Sequence, residues 1–281
     1  LIDKPCGPSS HETSAFTRRI LSVFGVEKTG HSGTLDPDVS GVLPVMLGAA
    51  CKASGFLSKE RKKYVCLTRF EKPVQKNSLE KAFQRFRGKI YQTPPLASAV
   101  ARRLRVREVF SLDVLEIDDS KRFALFECDV EAGFYVRKLV EDLSSVLDNA
   151  AVMAELRRTE AAGFREEECV TLQELSDRVW LARERGNEAS LRECVLPIEE
   201  GIHLKRVVVD DDALRPITTG ANVAIPGICA LDEEIARGEA VQVLSLKGEL
   251  VCFADALLSS EEIKKRRNGL AFDVSRVIQA F

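Results

Sequence analysis

Gly30-His31-Ser32-Gly33-Thr34-Leu35-Asp36-Pro37 is the stretch on which the reading of this chain turns. Gly30 and Gly33 let the backbone turn and approach a ligand with no Cβ in the way. His31 and Thr34 bring polar groups close by. Pro37 fixes its own φ and biases Asp36 toward an extended backbone, which points the carboxylate in one direction. By itself G-x-x-D-P is more often a plain turn than a site. The block nevertheless sits in a long loop, residues 28–40, rich in Gly, Ser, Thr and Asp. A loop of that length inside a compact domain is usually functional.

Upstream, Leu1 to Asp3 reads as a short strand ended by Lys4-Pro5 and Gly7-Pro8. Ser9 and Glu12 form a capping-box pattern, and Phe16, Ile20, Val23 and Phe24 recur at helical spacing until Gly25 stops them. Downstream, Gly41 to Leu47 and Tyr64 to Phe70 are predicted strands, and Leu79 to Phe86 a helix. Phe110 to Ile117 and Phe123 to Val130 form a predicted hairpin about Asp118-Asp119-Ser120. Val136, Leu139, Val140, Leu143, Val146 and Leu147 mark a helix that starts just after Gly133. Ala150 to Arg157 and Thr171 to Arg185 are expected to be helical as well. Beyond Gly201 the segments are short, β-branched and cut by Gly and Pro turns, which predicts a small barrel-like module. The expected class is α+β, with one domain over residues 1–200 and a second over 201–281.

The 281 residues and a 45% hydrophobic fraction allow a sizeable core. No apolar run approaches the roughly 20 residues needed to cross a bilayer, and no secretory signal is seen. The chain opens at Leu1 rather than Met, so residues upstream are expected to be missing. A net charge of −2 argues weakly against nucleic acid as a partner. Local cations matter more than the sum, and Arg102, Arg103, Arg105 and Arg107 crowd one segment. The eight cysteines and three histidines are dispersed without zinc-ligand spacing, so reduced core cysteines and no metal are expected.

Two further segments carry chemistry. Lys62-Lys63-Tyr64 opens a strand, where a tyrosine can stack on a base. Arg137, in Gly133-Phe134-Tyr135-Val136-Arg137, lies in the first turn of a helix, from which it can reach an aspartate on a facing loop and hold it ionised. A core tyrosine and a surface arginine are equally good readings of each residue taken alone.

In order and spacing, Asp3-Lys4-Pro5, the Gly30–Pro37 block with Gly41-Val42-Leu43-Pro44-Val45, Lys63-Tyr64-Val65, Gly133 to Leu139 and Leu156-Arg157-Arg158-Thr159 together resemble the TruB/dyskerin family of pseudouridine synthases. The likeness covers essentially the whole chain. Pro94 to Arg107 is similar to the thumb loop of the RNA-guided (H/ACA) branch, and Leu112 to Ile117 with Arg237-Gly238-Glu239 look closer to archaeal than to eukaryotic members. Gly220-Ala221-Asn222-Val223 with Lys247-Gly248-Glu249 resembles a C-terminal PUA domain.

The resemblance implies a mostly antiparallel central sheet flanked by helices, no cofactor, and isomerisation of uridine to pseudouridine in rRNA or tRNA. It makes Asp36 the nucleophile, Arg137 its partner and Tyr64 a platform for the base. Lys4, His31 and Leu156 would shape the substrate pocket. Arg102, Arg103, Arg105, Arg107, Arg157, Arg158, Gly220 and Asn222 would contact RNA. The implied partners are an H/ACA guide RNA, the target RNA, a small zinc-ribbon-like protein, a Gar-type protein and a kink-turn-binding protein. The implied location is cytoplasmic for an archaeal protein and nucleolar for a eukaryotic one. Phe134, Val136, Val152 and Glu160 depart from the family pattern, where Thr, Ile, His and Arg are usual. A guide-independent enzyme acting on the tRNA T loop and a non-catalytic RNA scaffold are the competing readings.

Overall fold

The computed structural model describes residues 1–94 and 103–278, which fall into two compact units. One is Leu1–Val45 with Phe56–Val195; the other is Met46–Gly55 with Leu196–Phe281. In chain order the elements up to the boundary are β1 (Ile2–Lys4), α1 (Ser10–Leu21), β2 (Thr29–His31), β3 (Val39–Leu43), β4 (Val45–Leu47), α2 (Ser54–Leu57), β5 (Lys62–Phe70), α3 (Lys76–Gln84), β6 (Gly88–Gln92), β7 (Arg105–Ile117), β8 (Phe123–Val130), α4 (Val136–Leu147), β9 (Ala151–Ala161), β10 (Phe164–Arg165), α5 (Leu172–Arg185) and α6 (Ala189–Arg192).

The first unit is built on an eight-stranded sheet in the order β1-β3-β9-β5-β8-β7-β6, with β10 attached to β9. Every pair is antiparallel except β3 with β9. Strand β5 alternates buried and half-exposed residues along its length, the mark of a sheet with one face on a core. Val136, Leu139, Val140 and Leu143 of α4 and Leu79 and Phe83 of α3 form that core together with Cys66 and Phe126 of the sheet. Helix α1 begins as expected: Ser9 accepts from the Glu12 amide while the Glu12 carboxylate accepts from the Ser9 amide, a cap that stabilises a helix by about 1 kcal/mol.

The expected helix at Ala150–Arg157 is instead the central strand β9, lying between β3 and β5. Ala, Met, Glu and Leu are good helix formers, but two flanking strands supply this segment's backbone hydrogen bonds, and tertiary pairing overrides propensity. The loop expected over 28–40 also holds strand β2 at one end and the start of β3 at the other.

The second unit continues with β11 (Lys205–Val209), α7 (Asp211–Thr218), β12 (Val223–Ala224), β13 (Ile228–Leu231), β14 (Ala240–Leu244), β15 (Leu250–Ala256), α8 (Ser260–Lys264) and β16 (Leu270–Val277). Its six strands run β12-β16-β15-β14-β11-β13, bulged repeatedly, in a sheet that curls toward a barrel. Helix α7 was not foreseen. Asp210 caps it by accepting from the Ala213 amide, so part of an acidic run that resembles a solvated face is a helix start. No helix among the described residues is long and apolar enough to cross a membrane.

Candidate active site

The loop between β2 and β3 is tied down through its main chain on both sides of Asp36. The Ser10 hydroxyl, wholly buried in the first turn of α1, donates to the Leu35 carbonyl at 2.8 Å and accepts from the Leu35 amide at 2.7 Å. The Gly7 amide donates to Pro37 O at 2.9 Å, and the Ser32 amide to Pro44 O at 3.0 Å. Lys4, fully buried, donates from Nζ to the carbonyls of Pro5 (2.8 Å), Pro37 (3.2 Å) and Val39 (2.8 Å). Burial lowers the Lys4 ammonium pKa below its ordinary value. Lys4 is thus a strut beneath the loop. The Leu35 side chain anchors in the core, while the neighbouring Asp36 side chain stays 57% exposed.

Arg137, the second residue of α4, reaches the exposed Asp36 carboxylate, with Nη2 2.5 Å from Oδ2. Long helical side chains lean toward the helix N-terminus, so a position in the first turn aims the guanidinium past the helix end at the loop.

Tyr64 lies on β5, opposite Cys128 of β8 and Arg158 of β9, and is only 8% exposed. Burial raises its phenol pKa, with the adjacent Arg158 guanidinium acting in the other direction. His31 sits at the end of β2, with its Nε2 3.2 Å from the Thr34 hydroxyl and its ring edge-on to His11 at 4.9 Å. Burial chiefly, then the His11 and Arg158 charges, lower its pKa and favour the neutral imidazole. Leu156 is a core residue on β9, paired with Cys66 and Val39.

Several expected RNA contacts lie elsewhere. Arg158 is among the largest fully buried side chains, with Nε donating to Val42 O at 2.8 Å and its guanidinium under Gly33. Arg157 is held bidentately by Asp3 at 3.0 and 3.1 Å and by Glu166 at 2.6 Å, which cancels its charge. Arg107 turns inward against Gly133 and pairs with Glu131 at 3.5 Å. Arg103 is exposed and Arg105 half-buried, while Arg102 falls outside the described residues, as does most of the expected thumb loop. In the second unit Gly220 is exposed at φ +104°, and the Asn222 Oδ1 accepts from the Val274 amide at 2.9 Å. Glu160, one of two departures on β9 with Val152, pairs with Lys63 at 3.0 Å.

Three family models match in succession: TruB family pseudouridylate synthase, N-terminal domain, over residues 18–136; tRNA pseudouridylate synthase B C-terminal domain over 137–203; and PUA domain over 205–278. A probable tRNA pseudouridine synthase B of Pyrobaculum aerophilum is 44% identical over 99% of this chain and 82% of its own length. The chain belongs to the TruB family of pseudouridine synthases. Its fold matches a chain in a crystal structure of a Cbf5-Nop10-Gar1 complex at TM-score 0.91 and 41% identity, covering 99% of this chain and 84% of that one. It also matches one in an H/ACA RNP bound to a substrate RNA containing 2′-deoxyuridine, at TM-score 0.89 and 38% identity, over 99% and 84%.

In this TruB-family enzyme, then, the structure gathers Asp36, Arg137, Lys4, His31 and Tyr64 about one loop of one unit. Sequence reasoning missed Ser10, hidden next to the stronger capping signal of Ser9. It also missed Lys62, whose Nζ donates to Ser58 O and Glu60 O from a buried position below Gly33.

Proposed function

We propose that this enzyme is the catalytic subunit of a guide-RNA-directed pseudouridine synthase, with Asp36 as its nucleophile. The observation that carries the assignment is the exposed Asp36–Arg137 pair on a loop whose main chain is fixed by buried donors. The reaction breaks N1–C1′ of uridine, turns the base and joins C5 to C1′, releasing the C5 hydrogen. Direct attack on C1′ and a glycal route both start from an ionised, positioned carboxylate beside the sugar. Arg137 neutralises and aims it. Tyr64 offers the base a ring face, and its protonated phenol serves as a donor more readily than as a base. Neutral His31 fills the space left when the target nucleotide flips out of its stack.

Arg103 and Arg105 hold RNA backbone, as the family resemblance implies for Arg102 too, and residues 201–281 anchor the guide through the face bearing Gly220 and Asn222. Uridine choice then comes from guide pairing rather than side-chain readout. The proposed partners are those of the H/ACA particle, namely guide RNA, target rRNA or tRNA, the small zinc-ribbon-like and Gar-type proteins and a kink-turn-binding protein, in the cytoplasm. Likeness to chains of a Cbf5-Nop10-Gar1 complex and of a substrate-bound H/ACA RNP supports this reading. The name of the Pyrobaculum relative refers to tRNA, which suits a second reading as a tRNA synthase, and the form of that reading to be tested is one that acts without a guide.

One modification assay separates them. With guide RNA and partner proteins present, the wild type converts a paired target uridine, and Asp36→Asn binds RNA but makes no product. Ordinary turnover by Asp36→Asn would remove the nucleophile assignment. Full conversion of a tRNA T loop with guide withheld would replace the guided reading by the second.

A further inference from the structure

Gln92 ends β6 and is 2% exposed. Its amide donates from Nε2 to the Tyr135 carbonyl at 3.1 Å and accepts at Oε1 from the Tyr135 amide at 3.0 Å. Tyr135 is the N-cap residue of α4, in extended backbone and without a side-chain cap of its own. Two residues further on stands Arg137. The neighbouring strand, β7, holds the same turn. Arg107 of β7 lies across Gly133 so closely that a Cβ there would come within 3.2 Å of Nη2, and φ of +76° also calls for glycine. The Glu131 carboxylate ties the turn to β7 again, accepting from the Glu108 amide at 3.0 Å.

A helix start ordinarily needs no such clasp. Its free amides are met by a cap or by water, and an acid in the first turn suits the helix dipole. Here the first turn carries no acid and places a cation, Arg137, where the dipole disfavours it. Left to its own preferences, α4 would fray from this end, carrying Arg137 off Asp36. Gln92 meets both main-chain polar groups of the one residue that sets the helix start. It comes from β6, an edge strand of the main sheet paired to β7, rather than from a loop.

We propose that Gln92 is a positioning residue for the reaction, fixing Arg137 against Asp36 through the main chain of Tyr135. The inference rests on the reading of Asp36 and Arg137 as the working pair. Gln92 touches neither substrate nor the reacting atoms, so its loss should act on rate rather than on RNA binding.

The test uses the full chain assembled with guide RNA and partner proteins, following release of tritium from C5 of a labelled target uridine at saturating RNA. Gln92→Ala should lower the rate about 10- to 100-fold, the scale set by ångström misplacement of a reacting group, with RNA affinity within about twofold of wild type. Gln92→Glu keeps the acceptor for the Tyr135 amide but loses the donor, and should fall in between. On an Arg137→Ala background, Gln92→Ala should cost no more than about twofold further, because the two act as one unit. A Gln92→Ala enzyme at full rate would overturn the proposal. So would a loss that multiplies in full with that of Arg137→Ala, or one expressed as weakened RNA binding. Should Gln92→Ala fail to fold, the same cycle with Gln92→Glu decides the matter. Turnover by the wild type, abolished in Asp36→Asn, reports separately on the underlying reading.

Discussion

The two units treat polar side chains in opposite ways. In the first, Lys4, Ser10, Lys62, Gln92 and Arg158 are all buried, three of them cations, and no carboxylate pairs with any of those cations among the described residues. In the second, the interior is Val207, Val209, Val241, Val243, Val251, Phe272 and their like, and buried polar residues among those described are Gln242, Ser245 and Ser260. Its charges sit outside, as in Arg206–Asp232 and Lys264–Glu233. Burying a cation without a counter-charge costs several kcal/mol, far more than an exposed ion pair returns. A fold that keeps three cations inside is holding something with them, and what Lys4 and Arg158 hold are the carbonyls of the loop and strand around Asp36.

The contrast can be broken most sharply at Gly41. Strand β3 passes β9 so closely there that a Cβ would lie 2.1 Å from the Arg158 carbonyl oxygen, at φ +105°. Gly41→Ala is expected to cost about 3 kcal/mol or more and to shift the Asp36 loop with β3, so urea unfolding and turnover should fail together. An alanine tolerated with unchanged midpoint would mean that the two strands can part freely. Next comes Lys4→Met, which keeps the length but leaves the Pro37 and Val39 carbonyls without their buried donor. Stability should fall by about 2 kcal/mol and turnover by roughly 100-fold, with RNA binding little changed. If Lys4→Met binds RNA poorly instead, Lys4 belongs to the pocket after all.

How much of this was legible beforehand depends on whether a residue acts through its neighbours in sequence or through the fold. The capped helix α1, the hairpin of β7 and β8, and α4 from Val136 to Leu147 were readable because cap, turn and apolar spacing are local signals. Asp36 and Arg137, 101 residues apart, were joined by resemblance, and the ion pair is a fact only of the folded chain. Strand β9 was misread because its residues favour helix while its place between β3 and β5 does not. Arg157 and Arg158, which the resemblance makes RNA contacts, lie on that strand. Once the segment is a central strand, alternate residues must point into the fold, and a cation there, as Arg158 is, acts as a strut. Ser10 and Gln92 carried no sequence signal, since a buried serine and a buried glutamine look like any others until their partners are known.

The buried cations should also leave a signature in alkali. The Lys62 ammonium is held down to about 8 from an ordinary 10.5, first by burial and then by the Arg158 charge. Between those values the unfolded chain keeps this proton while the folded chain has released it, so Lys62 makes stability rise with pH from about 8 to 10.5. Buried thiols such as Cys66, pushed up to about 12, act in the opposite sense over the upper part of that window. The difference between wild type and Lys62→Met isolates the lysine: it should widen in favour of the wild type as pH increases. Parallel curves would show that Lys62 is solvated and that the first unit hides fewer charges than its geometry indicates.

The smallest effect should come from the second unit's best-formed ion pair. Arg237 grips Glu262 with both Nε and Nη2, at 2.8 and 2.5 Å, and these hydrogen bonds, with that from the Ser259 amide, hold the Glu262 carboxyl down to about 2. In geometry this pair is a match for Asp36–Arg137, and like it the pair is exposed, so water and salt replace each partner at little cost to stability. Glu262 also caps α8 by accepting from the Ser259 amide at 2.9 Å, a bond that does not need the arginine. Arg237→Ala should therefore leave the urea midpoint indistinguishable from wild type at physiological salt, while Glu262→Ala, which removes the cap as well, shifts it measurably. If Arg237→Ala proved as damaging as Lys4→Met, surface pairs and buried struts would be equivalent in this protein, and burial could no longer be used to tell which charges serve the site.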